Sequence, residues 1–221
     1  MTRTAVIVLP LALLALLVAI FLFVKYLPGK EQVVSPKEIQ FQSETPPAKR
    51  VKDGWLRGPQ DGTLDLVEFA NFSCPACAAY APVLTQLLKG IPSLKITYKH
   101  FPFSYHKNDI PAAMAAEAAG EQGKFAEMAE LLYTRQDEWV NSKGNEIFVR
   151  YAEVLGLDGE KFKKDLENSE LRTRITTNLS EANQRQLDAT PTFFLNGNKI
   201  EFPPDYNQAF KIITAVSTSK Q

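Results

Sequence analysis

The chain has 221 residues, of which 45% are hydrophobic and 23% charged, with 25 basic and 25 acidic side chains giving a formal net charge of zero at pH 7. This is ordinary globular composition, and with no basic stripe interleaved with aromatics it excludes an electrostatic nucleic-acid binder. The only two cysteines are Cys74 and Cys77, three positions apart in "FANFSCPACAAY".

Thr4 to Val24 carries no charge. At about 1.5 Å per helical residue, such a run is long enough to cross a ~30 Å hydrocarbon layer. Arg3 precedes it and Lys25 and Lys30 follow, so the positive-inside rule orients it weakly. The segment exceeds the usual signal-peptide core of about 7–15 residues, and no small-x-small site follows Val24. Residues 1–25 are therefore expected to form a transmembrane anchor, with a cleaved signal peptide as the rival. Either way the rest of the chain is delivered outside the cytoplasm, where thiols can be oxidised. Residues 26–57, with Pro28, Pro36, Pro46 and Pro47 and no sustained apolar period, read as an extended extracytoplasmic linker, a stretch around Val33 to Phe41 being the part that could pack on the domain.

Thr63 to Ala70 alternates as a strand, and Pro75 opens a helix that ends at Gly90, with Pro82 expected to kink it. Leu94 to Phe103 is a second strand, parallel to the first through a right-handed crossover. Three to five helices follow, with breaks at Gly123, Asn141 to Gly144 and Gly156 to Gly159. After Thr190-Pro191, two β-prone runs joined by Asn196-Gly197 form a hairpin, and an amphipathic helix closes the chain. Since helices interrupt one sheet, this is a single α/β domain over 58–221 with a helical insertion at about 104–188.

Pro75 suits the first helical position, where its missing N–H costs nothing. Cys74 is then the N-cap and Cys77 lies one turn in. The outward N–H groups of Ala76 and Cys77 and the helix dipole favour a thiolate on Cys74, making it a nucleophile and a leaving group, with Cys77 as a shielded resolving thiol. Three other readings stand beside this one. A structural disulfide closing so short a loop removes little unfolded-state entropy. A zinc site lacks a second cysteine pair, leaving His100, His106 and carboxylates to complete it. A copper(I) carrier is the third. Glu68 shares a face with Leu66 and Ala70, so it is either a carboxylate beneath the cysteine helix, able to exchange a proton with Cys77, or a solvent-facing group on an edge strand. Pro191 just before a strand implies a cis Thr190-Pro191 bond, which would expose the Thr190 backbone to an extended peptide, or a trans proline at a strand start. Neither histidine is placed in the site.

The blocks "GPQDGTLDLVEFANFSCPACAAYAPVL", "KITYKHFPF", "AAMAAEAAGEQGKFAEMAELLY" and "ATPTFFLNGNKI" resemble the DsbA-like thioredoxin-fold thiol-disulfide oxidoreductases, membrane-anchored BdbD-like branch, from about Gly58 onward. The resemblance implies a thioredoxin fold with a helical insertion, Cys74 as the attacking cysteine, Cys77 as its buried partner, Pro191 as a cis-proline preceded by Thr190, and Glu68 as a buried acid, with Lys99 as its neighbouring lysine. It also implies disulfide formation in exported proteins, no cofactor, and a membrane redox partner such as a DsbB-like quinone reductase or an electron donor. Reduction or isomerisation by the same fold is the alternative. Asn71 stands where the family commonly has Asp, and Ala76 where its strongest oxidants have histidine. A bound calcium, possible in the related group, has no clear ligand cluster here.

Overall fold

The computed structural model describes residues 43–218; the expected anchor, and the possible packing of Val33 to Phe41, lie outside them. Strands β1 (Ala48–Val51) and β2 (Gly54–Arg57) are joined by the two-residue turn Lys52-Asp53, and β3 (Leu64–Ala70) leads into α1 (Pro75–Gly90) and then β4 (Leu94–His100). Helices α2 (Asp109–Gly120), α3 (Phe125–Thr134), α4 (Gln136–Trp139), α5 (Glu146–Val154), α6 (Gly159–Leu166) and α7 (Ser169–Gln184) follow, before β5 (Thr192–Leu195), β6 (Asn198–Ile200) and α8 (Tyr206–Thr218).

The strands form one six-stranded sheet in the order β1-β2-β4-β3-β5-β6, with β3 and β4 parallel and the other pairs antiparallel. The β5–β6 turn uses positive φ at Asn196 (49°) and Gly197 (84°), the conformation that an Asn-Gly pair adopts at least cost. Two expectations need correcting. The linker ends earlier than 57, because β1 and β2 belong to the sheet and Trp55 is 3% exposed in its main core. The insertion holds six helices among the described residues, because further breaks at Arg135 and at Glu167-Asn168 divide it more finely than its glycines indicate.

Paired strand residues share a sheet face, and side chains alternate along each strand. One face carries Leu66 and Ile96, which pack with Leu84 and Leu87 of α1 and with Ala209 and Ile213 of α8. Each such fully buried Leu or Ile contributes roughly 1.5–3 kcal/mol. The opposite face carries Phe69, which packs with Phe101 and with Ala182 of α7. The insertion is fastened at Glu117, which is 0% exposed on α2 and accepts from Trp55 Nε1 (2.8 Å), Arg50 Nη1 (3.2 Å) and Arg174 Nη1 (3.3 Å), with His100 Nε2 at 3.1 Å.

Candidate active site

Cys74 is the N-cap of α1 and Pro75 its first residue; the cap has extended dihedrals (φ −79°, ψ 117°), and the Cys74 carbonyl accepts from Ala78 N at 3.1 Å. Both cysteines are thiols, Cys74 partly exposed and Cys77 fully buried. Pro75 and Ala76 are exposed beside them. The Thr190–Pro191 bond is cis, and the Cys74 thiol donates to the Thr190 carbonyl at 3.2 Å. A hydrogen bond from Cys77 holds the Cys74 thiol down to about 5 against the opposing effect of its partial burial, and Thr190 and the N–H groups of Cys77 and Ala76 act in the same direction. The Thr190 hydroxyl is buried with no other hydrogen-bond partner among the described residues, so it is free to turn its proton to the sulfur once that sulfur is a thiolate. Burial, the same Cys74 contact and the Glu68 charge push Cys77 in the opposite direction, far up. Two thiols one turn apart are thus driven apart in acidity by a surface and an interior environment.

Glu68 is 2% exposed on β3, a strand flanked by β4 and β5, so it is no edge residue. It lines a cavity of about 490 Å³ behind α1, with Arg57, Tyr98, Ala81 and Tyr133, that runs out to the exposed Gln86 and Lys89. Burial pushes its carboxyl up to about 7, Arg57 pulls against that rise, and Cys74 adds to it.

Lys99 is not its neighbour. Register sets Lys99 beside Phe69 on the other face, where it pairs with Glu181 of α7, while Tyr98 stands opposite Glu68. Of the two cations that line the cavity, Lys89 stands at the exposed mouth, and the one that acts on Glu68 is Arg57, in the stretch read as linker.

Further residues support the motif loop without any local sequence signal. Gln136 of α4 donates to the carbonyls of Phe72 (2.7 Å) and Cys74 (3.0 Å). Asn71 donates to Asp109 and to Ser73 Oγ, and His106 Nδ1 lies 2.9 Å from that same Ser73 oxygen. Asp109 opens α2, so a carboxylate from the insertion reaches the motif loop. His106 is thus closer to the motif than its loop position indicates, whereas His100 is absorbed by Glu117. Among the described residues no group of three or more His, Cys, Asp or Glu is placed to hold a metal. Beside the motif, a groove of about 640 Å³ runs past Ala76, Tyr80 and Pro191 to Asp188, Lys199 and Glu201.

A family model described as Thioredoxin matches residues 50–215. The chain belongs to the thioredoxin family. Its fold is DsbA-like, for this thioredoxin-family chain superposes on BdbD of Bacillus subtilis (TM-score 0.64, 18% identity, 79% of this chain and 98% of that one). It also superposes on α-DsbA1 of Wolbachia pipientis (TM-score 0.66, 18% identity, 77% and 94%) and on a thioredoxin-like oxidoreductase of Silicibacter pomeroyi (TM-score 0.64, 21% identity, 77% and 95%). Among curated proteins it is 37% identical over 149 residues to the Na(+)/H(+) antiporter NhaA 3 of Salinispora tropica, a match over 67% of this chain and 22% of that protein. The NhaA 1 antiporter of Mycolicibacterium gilvum is 33% identical over 166 residues, covering 72% and 26%. The chain spans about a quarter of the length of these relatives, so what it shares with them is a domain-sized segment.

Proposed function

We propose that this thioredoxin-family chain is a membrane-tethered, extracytoplasmic thiol-disulfide oxidoreductase that forms disulfides in exported proteins. The observation that carries the reading is the placement of Cys74, a partly exposed N-cap thiol beside the cis Thr190–Pro191 bond and one turn from the buried Cys77. A substrate thiolate attacks Cys74 Sγ of the oxidised pair, and the Cys74–Cys77 bond breaks. Cys77 leaves with the electron pair and takes a proton from Glu68. A second substrate thiolate then attacks the substrate sulfur of the mixed disulfide and displaces Cys74 as a thiolate. Substrate is oxidised by two electrons, which the protein passes to a membrane redox partner of the quinone-reductase kind. The low Cys74 value favours release of that sulfur and stabilises the reduced pair, which supports oxidation over reduction. The uncharged run from Thr4 to Val24 supports the tether and the compartment.

Equilibrating the full-length protein in glutathione buffers tests this. A reduction potential well above that of thioredoxin, roughly −270 mV, is expected; a value at or below it overturns the oxidase direction. Replacing Cys74 abolishes turnover, and replacing Cys77 traps substrate as a mixed disulfide on Cys74. A Cys77 variant that traps nothing overturns the two roles.

A further inference from the structure

We propose that Arg57 is a positioning residue of the redox centre: from the cavity behind α1 its guanidinium governs whether Glu68 is charged, and so governs proton exchange with Cys77. The proposal rests on the exchange reaction proposed above.

Arg57 ends β2 opposite Ile96, Ile96 pairs with Leu66, and Tyr98 pairs with both Trp55 and Glu68. All six side chains therefore occupy one sheet face. Arg57 is two strands and one repeat away from Glu68, and both line the same cavity. That spacing gives action through the field across a cavity walled by protein, where a charge is felt further than in bulk water.

Among the described residues, the other charged or titratable groups around Glu68 do not supply it with a cation. Tyr98 faces it from β4, Cys74 and Cys77 from α1, and Tyr133 from α3. Glu130 of α3 and Glu44 add carboxylates to the cavity wall. Lys89, at the exposed mouth, is paired with Glu44 at 3.2 Å, and Lys99 is committed to Glu181 on the far face. Of the groups that act on Glu68, Arg57 is the cation and Cys74 the anion. Conversely, Glu68 is the strongest charge acting on Arg57.

When Cys77 attacks the mixed disulfide at Cys74, its proton passes to the Glu68 carboxylate, the Cys77–Cys74 bond forms and the bound thiol leaves with its electron pair. A nearby cation favours the carboxylate. Loss of Arg57 therefore leaves Glu68 protonated to higher pH and deprives Cys77 of its base at neutrality.

The test uses the full-length protein with ¹³C-labelled glutamate carboxyls, the Glu68 signal being assigned by its loss in Glu68→Gln. Arg57→Gln is expected to raise the Glu68 titration midpoint by about one pH unit. It should also slow resolution of a glutathione mixed disulfide on Cys74 by about fivefold at neutral pH, the fall in base fraction when a midpoint of about 7 rises by one unit. Arg57→Lys should restore both, and in the Glu68→Gln background Arg57→Gln should add nothing. If Arg57→Gln does not fold, Arg57→Met carries the same expectation. An unmoved midpoint, or an equal slowing with and without Glu68, overturns the proposal. Failure of the wild type to form or resolve the mixed disulfide overturns the proposed function instead, and the carboxyl titration still decides whether Arg57 acts on Glu68.

Discussion

Cys74 Sγ lies 3.2 Å from the carbonyl oxygen of Thr190, a residue 116 positions away whose own hydroxyl is buried and has no other hydrogen-bond partner among the described residues. The protonated sulfur has an acceptor there and the ionised sulfur a donor, so one threonine serves both charge states. Thr190→Val keeps the shape and removes the donor. The Cys74 midpoint, read from the pH dependence of iodoacetamide modification, is expected to rise from about 5 by up to about one unit, while Thr190→Ser leaves it near the wild-type value.

The same acidity makes the reduced protein's stability depend on pH. The Cys74 value is lower in the folded state than in the unfolded chain, so the thiolate contributes stability that is complete above the unfolded value and is lost as pH falls through about 5. The difference in urea midpoint between reduced wild type and Cys74→Ser should therefore grow from pH 5 toward alkaline pH. Oxidised protein, which has no Cys74 thiolate, should show no such growth.

Glu117 is expected to be the costliest carboxylate to remove. Glu117→Ala leaves Arg50, Trp55, His100 and Arg174 without their shared acceptor and should lower stability by about 3–5 kcal/mol in denaturant unfolding. Glu121, which shares Arg174 but is one-third exposed, should cost under about 1 kcal/mol when replaced by Ala.

Gly120 ends α2 directly against the Trp55 ring, where any Cβ would overlap it. Trp55 in turn stacks on Phe125 with centroids 4.4 Å apart. Gly120→Ala should destabilise by about 1–3 kcal/mol despite alanine's better helix propensity, an outcome to be checked by thermal shift.

Much of this arrangement is legible in the sequence wherever a local signal carries it. Pro75 marks the start of α1, Asn196-Gly197 marks the hairpin, and Gly123 and Gly156 mark helix breaks. The first two strands are not legible although Asp53-Gly54 lies at their turn, because "AKRV" and "GWLR" are too short and too charged to show alternation. Which cation faces Glu68 depends on register across three strands, and a one-residue difference exchanges Lys99 for Tyr98. The supports of the motif loop, Gln136 and Asp109, come from the insertion and leave no trace near Cys74.

The fastening of Glu117 by Arg50 and Trp55 also sets where the folded body can be cut free of whatever precedes it. A fragment beginning at Gly58 would uncover one flank of β4, strip the buried carboxylate of two donors and leave the ring site against Gly120 empty. One beginning ahead of Ala48 keeps all three, so the smallest autonomous unit starts before the first strand.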